Sequence, residues 1–307
     1  MKIAIVLCTF NRIDCLRIAL QKYEDQTVKP DFMVIVNNAS TDGTKEYLDS
    51  WKEKTSFFKK VVIHNEQNLG GSGGFSRGVE EALKLDCDYM FLADDDDAYA
   101  ETKVLEELHK ADTYLKKKQV NVAALCTAIY NGANRELSHR CIVKQGVFNV
   151  KFDWVPEQVY SKRLFKVDIF TFVGACIKKS VVEKIGLPKT QYFIYYDDAE
   201  YCMRIREYGG IYCVPGSIMH HDIGNDRRSS WKDYYDTRNW INLVKAYFPK
   251  RNVFGTAVKM YFKRCSILAK IFRNRDREHR HMCWIAIYDG LSGRLGIHEV
   301  YRPGSRI

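Results

Sequence analysis

The sequence lacks the marks of a membrane-spanning, secreted or disulfide-linked protein. None of its apolar runs approaches the roughly 18–20 residues that cross a bilayer. The opening segment, MKIAIVLCTFNR, is too short in its apolar part for a signal peptide and has no small-residue cleavage site. The ten cysteines form no CxxC pair, which favours free thiols in a reducing cytosol over a disulfide framework or a zinc site. We therefore expect a cytoplasmic protein.

The sequence also lacks two common phosphate-binding loops. No glycine-rich loop ends in GKS or GKT, and no GxGxxG follows the first predicted strand. Five glycines instead fall within residues 70–78, in the segment NLGGSGGFSRG. Glycine lets the backbone approach a ligand closely and present its N–H groups to oxygens. A flexible surface loop is the alternative, but a helix is predicted directly after these glycines, which favours contact with a ligand.

Charge divides the chain into two parts. Residues 226–307 hold 18 Lys and Arg against 7 Asp and Glu, a net charge of +11, whereas residues 1–225 carry a net charge of −1. We therefore predict a near-neutral domain, residues 1–225, followed by a basic, helical C-terminal segment, residues 226–307. Such a segment suits an anionic surface, whether lipid headgroups, nucleic acid or an acidic partner.

Predicted strands and helices alternate through the N-terminal third of the chain. The strands are apolar runs at 3–8, 32–36, 61–63 and 89–93, and the helices between them cover 13–26, 44–54 and 76–85. This βαβ pattern predicts an α/β fold with a mostly parallel sheet and helices on both faces. Later in the chain we expect strands at 120–130, 167–177 and 212–215, an irregular segment at 141–165 and a short helix at 180–185.

Four consecutive aspartates follow the fourth predicted strand. Asp94, Asp95, Asp96 and Asp97 lie at the carboxyl end of that strand, where open α/β sheets place their ligand crevice. Adjacent carboxylates repel one another, and their pKa values rise unless a cation or hydrogen bonds compensate. A hard divalent metal that also binds phosphate oxygens would compensate this charge. The alternative is a solvated acidic turn that caps the next helix.

A second acidic group lies in the segment YYDDAEYCMR, residues 195–204. The adjacent carboxyl groups of Asp197 and Asp198 would raise the pKa of one of them, which suits a general base. Glu200 and Arg204 are four residues apart and are expected to pair on one helix face. The alternative for the whole segment is an ordinary helix start.

Two adjacent histidines, His220 and His221, follow the last predicted strand in the segment GSIMHHD. Adjacent side chains of a strand point to opposite faces, so at most one of the two is expected to bind a metal. A structural histidine is the alternative.

Five segments occur in an order that resembles family 2 glycosyltransferases with the GT-A fold. They are TFNR, NNASTDGT, the aspartates after a strand, DDAE and the late histidine, and together they cover about residues 1–225. TFNR, NLGGSGGFSRG and YYDDAE most resemble galactofuranosyltransferases and are similar to bacterial rhamnosyltransferases. YYDTRN and DGLSGRLG also resemble C-terminal parts of that bacterial group. The family usually has three aspartates where this chain has four.

The resemblance implies roles for individual residues. The nucleotide-sugar site would be formed by Thr9, Phe10, Asn11, Arg12, Asn38, Gly73, Gly74, Arg77, Asp95 and Asp96. The metal ligands would be Asp95, Asp97 and His221, of which His221 matches the family's late histidine better than His220. Asp198 matches the catalytic base.

The implied reaction is an inverting sugar transfer from a nucleotide sugar. Mn²⁺ or Mg²⁺ would bridge the diphosphate of a UDP-sugar, with UDP-galactofuranose as the best-matched donor. Asp198 would take a proton from a hydroxyl of a glycan acceptor, which would be lipid-linked and used in cell-surface polysaccharide synthesis. A rhamnosyltransferase that uses dTDP-rhamnose, or a UDP-hexose transferase, is the alternative.

Residues 252–275 are predicted to form an amphipathic helix. Its apolar stripe consists of Phe254, Val258, Tyr261, Cys265, Leu268 and Phe272, and its basic side chains are Lys259, Lys263, Lys270 and Arg273. Such a helix packs on its own domain or lies on an anionic membrane. The basic excess favours peripheral docking at the inner face of the cell membrane, with contact between copies of the chain as a further option.

Three other functions fit the sequence less well. A sugar nucleotidyltransferase needs a basic, glycine-rich loop directly after the first strand, where this chain has TFNR. A nucleic-acid-binding protein is favoured only by the basic and aromatic tail, and no recognition motif accompanies it, so we expect no nucleic-acid partner. A non-catalytic sugar-binding module would not need two separate acidic groups.

Overall fold

The structure, a computed structural model, describes residues 1–95, 99–221, 231–266 and 277–305. The strands are β1 Ile3–Thr9, β2 Phe32–Asn37, β3 Lys59–His64, β4 Tyr89–Asp94, β5 Tyr99–Ala100, β6 Val122–Asn131, β7 Asn134–Arg135, β8 Arg140–Gln145, β9 Val150–Trp154, β10 Phe165–Val167, β11 Ile169–Phe170, β12 Ala175–Lys178 and β13 Gly210–His220. The α-helices are α1 Ile13–Glu24, α2 Thr44–Glu53, α3 Gly70–Ala82, α4 Val104–Lys117, α5 Lys179–Ile185, α6 Asp197–Ile205, α7 Lys232–Tyr247, α8 Lys250–Met260 and α9 Arg277–Ser292.

Ten strands of the described residues form the main sheet. Their spatial order is β10-β13-β6-β12-β4-β1-β2-β3, with β5 beside β13 and β7 beside β6. The strands β4, β1, β2 and β3 are mutually parallel, as are β6 and β13, whereas β12 is antiparallel to both of its neighbours. The predicted α/β fold with a mostly parallel sheet is therefore confirmed.

The side chains of β1 alternate between two hydrophobic cores, one on each face of the sheet. Ala4 and Val6 contact the core that α3, α6 and α7 cover, while Ile5 and Leu7 contact the core that α1, α2 and α4 cover. All four are fully buried. Burial on both faces explains why this strand is a continuous apolar run rather than an alternating one.

A second sheet, in the order β11-β8-β9, overturns two predictions from the sequence. The segment 141–165, predicted to be irregular, contains most of the hairpin β8–β9. The apolar stretch 167–177, predicted as one strand, is divided among β10, β11 and β12, which belong to two different sheets. The last predicted strand, 212–215, is also too short, because β13 continues through a register shift as far as His220.

The C-terminal helices pack against the rest of the chain. Trp240, Ile241, Leu243 and Val244 of α7 join the core on one face of the sheet. The main sheet and α7 therefore share a core. Residues 222–230, which connect β13 to α7 in sequence, lie outside the described residues. The boundary at residue 225 stays a prediction.

The predicted helix 252–275 differs from the structure in its extent and in its orientation. α8 ends at Met260 and is continued by a π-helical turn over Tyr261–Cys265, while residues 267–276 lie outside the described residues. Asn252 and Thr256 are buried, whereas Phe254 is 67% exposed. Phe254, Val258 and Tyr261 of the predicted stripe are therefore exposed, while Cys265 packs against the core and Leu268 and Phe272 lie outside the described residues. Among the helices that the structure describes, none has both the length and the apolar character of a membrane span.

Candidate active site

A cleft of about 450 Å³ opens where β1 and β4 end. The end of β1, the aspartates after β4, the first turn of α3 and the first turn of α6 all contribute to it. Parallel strands carry their carboxyl ends to one edge of a sheet, which brings segments distant in sequence together. The residues of the predicted site that line the cleft are Thr9, Phe10, Arg12, Asn38, Asp95 and Asp198.

Asp95 is a buried carboxyl group whose charge is only partly compensated. Burial and the neighbouring Asp94 raise its pKa well above the ordinary value, against the opposing effects of Thr9 and Arg12. Nη1 of Arg12 lies 3.7 Å from Oδ1 of Asp95. The other oxygen, Oδ2, is buried and has no hydrogen-bond partner among the described residues. A hard divalent cation fits such an oxygen.

Of the three predicted metal ligands, Asp95 and His221 belong to the described residues. Asp97 lies outside them, as does Asp96 of the predicted nucleotide-sugar site. The backbone N–H of His221 donates to the carbonyl of Tyr130 at 2.8 Å, and its ring stands edge-on to the ring of His139. Within the described ranges, no three His, Cys, Asp or Glu side chains are grouped as a metal site. The metal set therefore stays a prediction.

The amide of Asn38 shapes the start of α3. Its Nδ2 donates to Oδ1 of Asn68 at 3.0 Å and to the carbonyl of Gly70 at 3.1 Å. Its Oδ1 accepts from Nδ2 of Asn65 and from the backbone N–H of Leu69, both at 3.0 Å. Since these bonds occupy the amide, Asn38 lines the cleft chiefly as a residue that positions the glycine-rich segment.

The glycine-rich segment is helical, which corrects the prediction of a loop followed by a helix at 76–85. α3 begins at Gly70, which has a φ of +72° and lies against the backbone of Phe193. A β-carbon at Gly74 would overlap Sγ of Cys8 on β1, and one at Gly73 would overlap Cβ of Leu69. Gly73 and Gly74 are outside the lining of the cleft and are closely packed, and their contact with a donor stays a prediction.

Arg77 and Asn11 also lie outside the lining of the cleft. Arg77 is on the exposed side of α3, where Nη1 donates to Oε2 of Glu80 at 2.6 Å. Asn11 joins two loops, because its Oδ1 accepts from the backbone N–H of Thr41 at 2.7 Å. Contact of either residue with a donor stays a prediction.

Asp197 and Asp198 form the first turn of α6 and face the cleft. Burial raises the pKa of Asp197 to about 6. Burial, with the charge of Asp197 as the second cause, raises the pKa of Asp198 to about 8, while Arg140 opposes the rise. The backbone N–H of Ala199 donates to Oδ1 of Asp198 at 2.6 Å. Both pKa values are thus raised, which is the direction that the sequence predicts for one carboxyl of the pair.

The segment that leads into this pair has an unusual backbone. Phe193, Tyr195 and Tyr196 have φ values of +66°, +65° and +63°, although none of them is a glycine. Each such residue costs on the order of 1–3 kcal/mol unless surrounding contacts hold it in place. Nothing in the local sequence predicts this conformation.

Two residues of α7 hold this segment, and the sequence analysis assigned them no role. Nδ2 of Asn239 donates to the carbonyls of Tyr192, Ile194 and Tyr195 at 2.9, 2.8 and 3.0 Å. Arg238 donates to the carbonyl of Tyr192 at 3.3 Å. Both residues belong to YYDTRN, a segment that the sequence analysis noted only for its resemblance to bacterial relatives. The resemblance gave no physical reason to expect this role. The predicted ion pair of α6 is also present, with Nη2 of Arg204 2.8 Å from Oε2 of Glu200.

A buried arginine supports another wall of the cleft. Arg140 donates to the carbonyls of Thr127 and Val173, both at 2.8 Å. Nδ1 of the adjacent His139 lies 2.6 Å from Oγ1 of Thr171. Thr171 and Val173 line the cleft. The sequence analysis assigned no role to His139 or Arg140, which lie just before the segment 141–165, and nothing in the local sequence indicates that Arg140 would be buried.

The family model of glycosyl transferase family 2 matches residues 4–185, which include β1–β12 and α1–α5. The chain belongs to this family. Galactofuranosyltransferase GlfT2 of Mycolicibacterium smegmatis is 28% identical to this family 2 chain over 264 residues, which are 77% of the chain and 40% of the relative. The chain thus spans less than half the length of that relative.

Another curated relative matches this family 2 chain over most of its own length. The dTDP-rhamnosyl transferase RfbF of Shigella flexneri is 22% identical over 283 residues, which are 86% of the chain and 88% of the relative.

The crystal structure of GalNAc-T7 with UDP, GalNAc and Mn²⁺ superimposes with a TM-score of 0.61, at 14% identity. The match covers 95% of the chain and 58% of GalNAc-T7. At this identity the likeness concerns the fold, and it confirms the GT-A architecture.

Proposed function

We propose that the protein is an inverting, metal-dependent glycosyltransferase that moves galactofuranose from UDP-galactofuranose to a hydroxyl of a glycan acceptor. The observation that carries this proposal is one cleft that contains both acidic groups, Asp95 after β4 and Asp198 at the start of α6. One group suits a metal-bound diphosphate, and the other suits removal of a proton. The galactofuranosyltransferase relatives support the choice of sugar.

The donor would occupy the part of the cleft beside β1. Thr9 and Phe10 would contact the nucleoside, and Arg12 would bring positive charge to the diphosphate. Mn²⁺ or Mg²⁺, held by Asp95 with Asp97 and His221, would neutralise charge on the departing nucleoside diphosphate.

The protein's own chemical step belongs to Asp198. Its ionised carboxylate accepts the proton of the acceptor hydroxyl while the hydroxyl oxygen bonds to the anomeric carbon. The bond from that carbon to the diphosphate breaks on the opposite side, so one displacement inverts the configuration. General bases contribute about 10²–10⁴-fold in rate, and a pKa raised toward neutrality is suited to this role.

The second candidate is rhamnosyl transfer from dTDP-rhamnose. The likeness to RfbF favours it, because that match includes 88% of the relative. A UDP-hexose donor would use the same cleft with the same base.

The experiment is a transfer assay with UDP-galactofuranose, UDP-hexoses and dTDP-rhamnose and a panel of glycan acceptors. Mass spectrometry identifies the product, and NMR gives its anomeric configuration. We expect galactofuranosyl transfer with inversion, which Asp198→Asn abolishes without loss of UDP binding. Transfer by Asp198→Asn at the native rate, or retention of configuration, would overturn the proposal.

We also propose that the acceptor is lipid-linked and that the C-terminal helices lie on the inner face of an anionic membrane. Phe254, Val258 and Tyr261 form an exposed stripe along α8 and the π-helical turn, and Trp284 and Tyr288 form another along α9. The rings of Tyr261 and Trp284 are 5.8 Å apart, so the two stripes form one surface. We call this surface the aromatic face.

The composition of the aromatic face favours a lipid surface over a second copy of the chain. Tryptophan and tyrosine are enriched at membrane interfaces, and nearby Lys and Arg residues add attraction to anionic headgroups. Residues 226–307 carry the net charge of +11, which would oppose the pairing of two such segments. The protein would then be cytoplasmic and peripheral, with no nucleic-acid partner.

A further inference from the structure

A groove of about 310 Å³ lies next to the candidate active site and has no part in the chemistry described above. Residues of β9, α7, α8 and the π-helical turn line it, together with Tyr196, which directly precedes α6. Its lining shares no residue with that of the main cleft.

Aromatic rings line part of the groove. Trp240 stands edge-on to Phe152, with ring centroids 4.9 Å apart, and is tilted against Tyr196 at 5.3 Å. Trp240 is 9% exposed and belongs to the core, so the platform is held rigidly. Aromatic walls with a few polar groups are typical of sites that bind small ligands, and the apolar faces of sugar rings pack against such surfaces.

Lysines also line the groove. Lys151 of β9, Lys259 of α8 and Lys263 of the π-helical turn line it, against one carboxylate, Asp153. That carboxylate lies 3.0 Å from Nζ of Lys144, so its charge is already balanced. The groove is therefore cationic. Lysine is a common partner of phosphate groups, to which it presents a compact positive charge.

The position of the groove relative to Asp198 gives it a role. Tyr196 lines the groove, whereas Tyr195, Asp197 and Asp198 line the main cleft. The short turn at the start of α6 thus has the groove on one side and the base on the other. An acceptor whose hydroxyl reaches Asp198 has its adjoining residues within reach of the groove.

We infer that this groove is the acceptor subsite for a phosphorylated glycan, with the sugar on the Trp240–Tyr196 platform and the phosphate at Lys151 and Lys259. The inference rests on the proposed function for its identity as an acceptor site. It also explains why both β9 and α8 contribute a lysine to the lining of the groove.

The test is a titration of the full chain with glucose 1-phosphate, methyl glucoside and inorganic phosphate, followed by NMR. We expect glucose 1-phosphate to bind best and the double variant Lys151→Gln/Lys259→Gln to weaken it by about tenfold or more. Lys52→Gln is the matched control, since Lys52 is exposed on α2, on the other face of the sheet. It should leave binding unchanged.

Two results would overturn the inference. One is equal binding of glucose 1-phosphate by the double variant and the native chain. The other is binding of inorganic phosphate as tight as that of glucose 1-phosphate, because the platform would then contribute nothing. Stabilisation by UDP is measured on the same samples. If the native chain is stabilised by UDP but does not bind glucose 1-phosphate, the groove inference is wrong and the proposed function is unaffected. If it binds glucose 1-phosphate but is not stabilised by UDP, the proposed donor site is wrong.

Discussion

At the scale of single residues, the two adjacent aspartates of α6 differ in how far their pKa values are raised. Burial raises both pKa values, and the charge of Asp197 raises that of Asp198 further. A general base must be ionised to accept a proton, so we expect activity to increase as the pH rises through the pKa of Asp198, the proposed base. The sequence allowed us to predict that the pair interacts, but the degree of burial depends on the folded chain.

Asp197→Asn should move the acidic limb of the pH profile of kcat/KM to lower pH. The substitution removes a negative charge that opposes ionisation of Asp198, so the pKa of Asp198 falls. The measurement is kcat/KM between pH 5 and 9, roughly the range over which the raised pKa values titrate. Asp86→Asn, at an exposed site paired with Lys2, serves as the control and should leave the limb in place. If the acidic limb of Asp197→Asn stays where it is in the native enzyme, the assignment of Asp198 as the general base is contradicted.

Gly74→Ala should destabilise the fold by about 1–3 kcal/mol, because the new methyl group overlaps Sγ of Cys8 in a closely packed core. Gly71→Ala is the matched control on the same helix, since no atom lies within 4 Å of its β-carbon position. Unfolding in urea measures both free energies. If Gly74→Ala keeps native stability and loses only UDP binding, Gly74 contacts the donor, as the resemblance implies.

At the scale of elements, α7 holds the segment that leads into Asp197 and Asp198. The three residues with positive φ before α6 have no local reason for that conformation, and Asn239 compensates by donating to three of the carbonyls around them. Phe193 also packs with Tyr234, Tyr235 and residues of α9 in a small hydrophobic cluster. The C-terminal helices therefore support the active site from outside the segment that the family model matches.

Asn239→Ala should lower kcat by about 10²-fold, since a shift of about 1 Å in a catalytic group has an effect of that size. Stabilisation by UDP should persist, because the donor end of the cleft lies on β1 and α3. Asn242→Ala provides the comparison on the same helix, where Oδ1 of the side chain accepts a hydrogen bond from the hydroxyl of Tyr192 at 3.1 Å. Equal losses in the two variants would mean that α7 acts through general stability alone.

The elements that were predictable from the sequence are those determined locally. The strands β1, β2 and β4 are apolar runs buried on both faces, and they were placed within two residues of their ends. The start of α3 was missed, because glycine disfavours helices and Asn38 and Phe193 fix this one from elsewhere. The sheet β11-β8-β9 was missed because its short, mixed strands become strands only through pairing.

At the scale of the whole molecule, the catalytic cleft and the aromatic face belong to one body. α7 connects them, since it packs on the core of the main sheet and contacts α9, which carries part of the aromatic face. The stripe on residues 252–275 was visible in the sequence. The outward orientation of Phe254, Val258 and Tyr261 was not, because that depends on buried Asn252, which donates to the carbonyls of Gly146 and Asn149.

The native chain should sediment with vesicles that contain anionic lipid and remain in solution with neutral vesicles. Phe254→Gln/Tyr288→Gln should lose most of this binding, because it removes apolar contact while keeping the charge. Phe57→Gln is the control at a phenylalanine that is even more exposed and that lies just before β3, the edge strand of the main sheet. Loss of a dimer in the double variant, with no vesicle binding by the native chain, would assign the face to self-association instead.

The most direct test of the central claim, a metal-dependent nucleotide-sugar site at Asp95, is thermal unfolding with nucleotides in the presence and absence of Mn²⁺. UDP at about 100 times its Kd should stabilise the fold by about 2.7 kcal/mol when Mn²⁺ is present. Without the metal, or in Asp95→Asn, the increase in Tm should be much smaller. A response to dTDP alone would favour the rhamnosyl alternative. An unchanged Tm with every nucleotide, with or without Mn²⁺, would contradict a nucleotide-sugar site in this cleft.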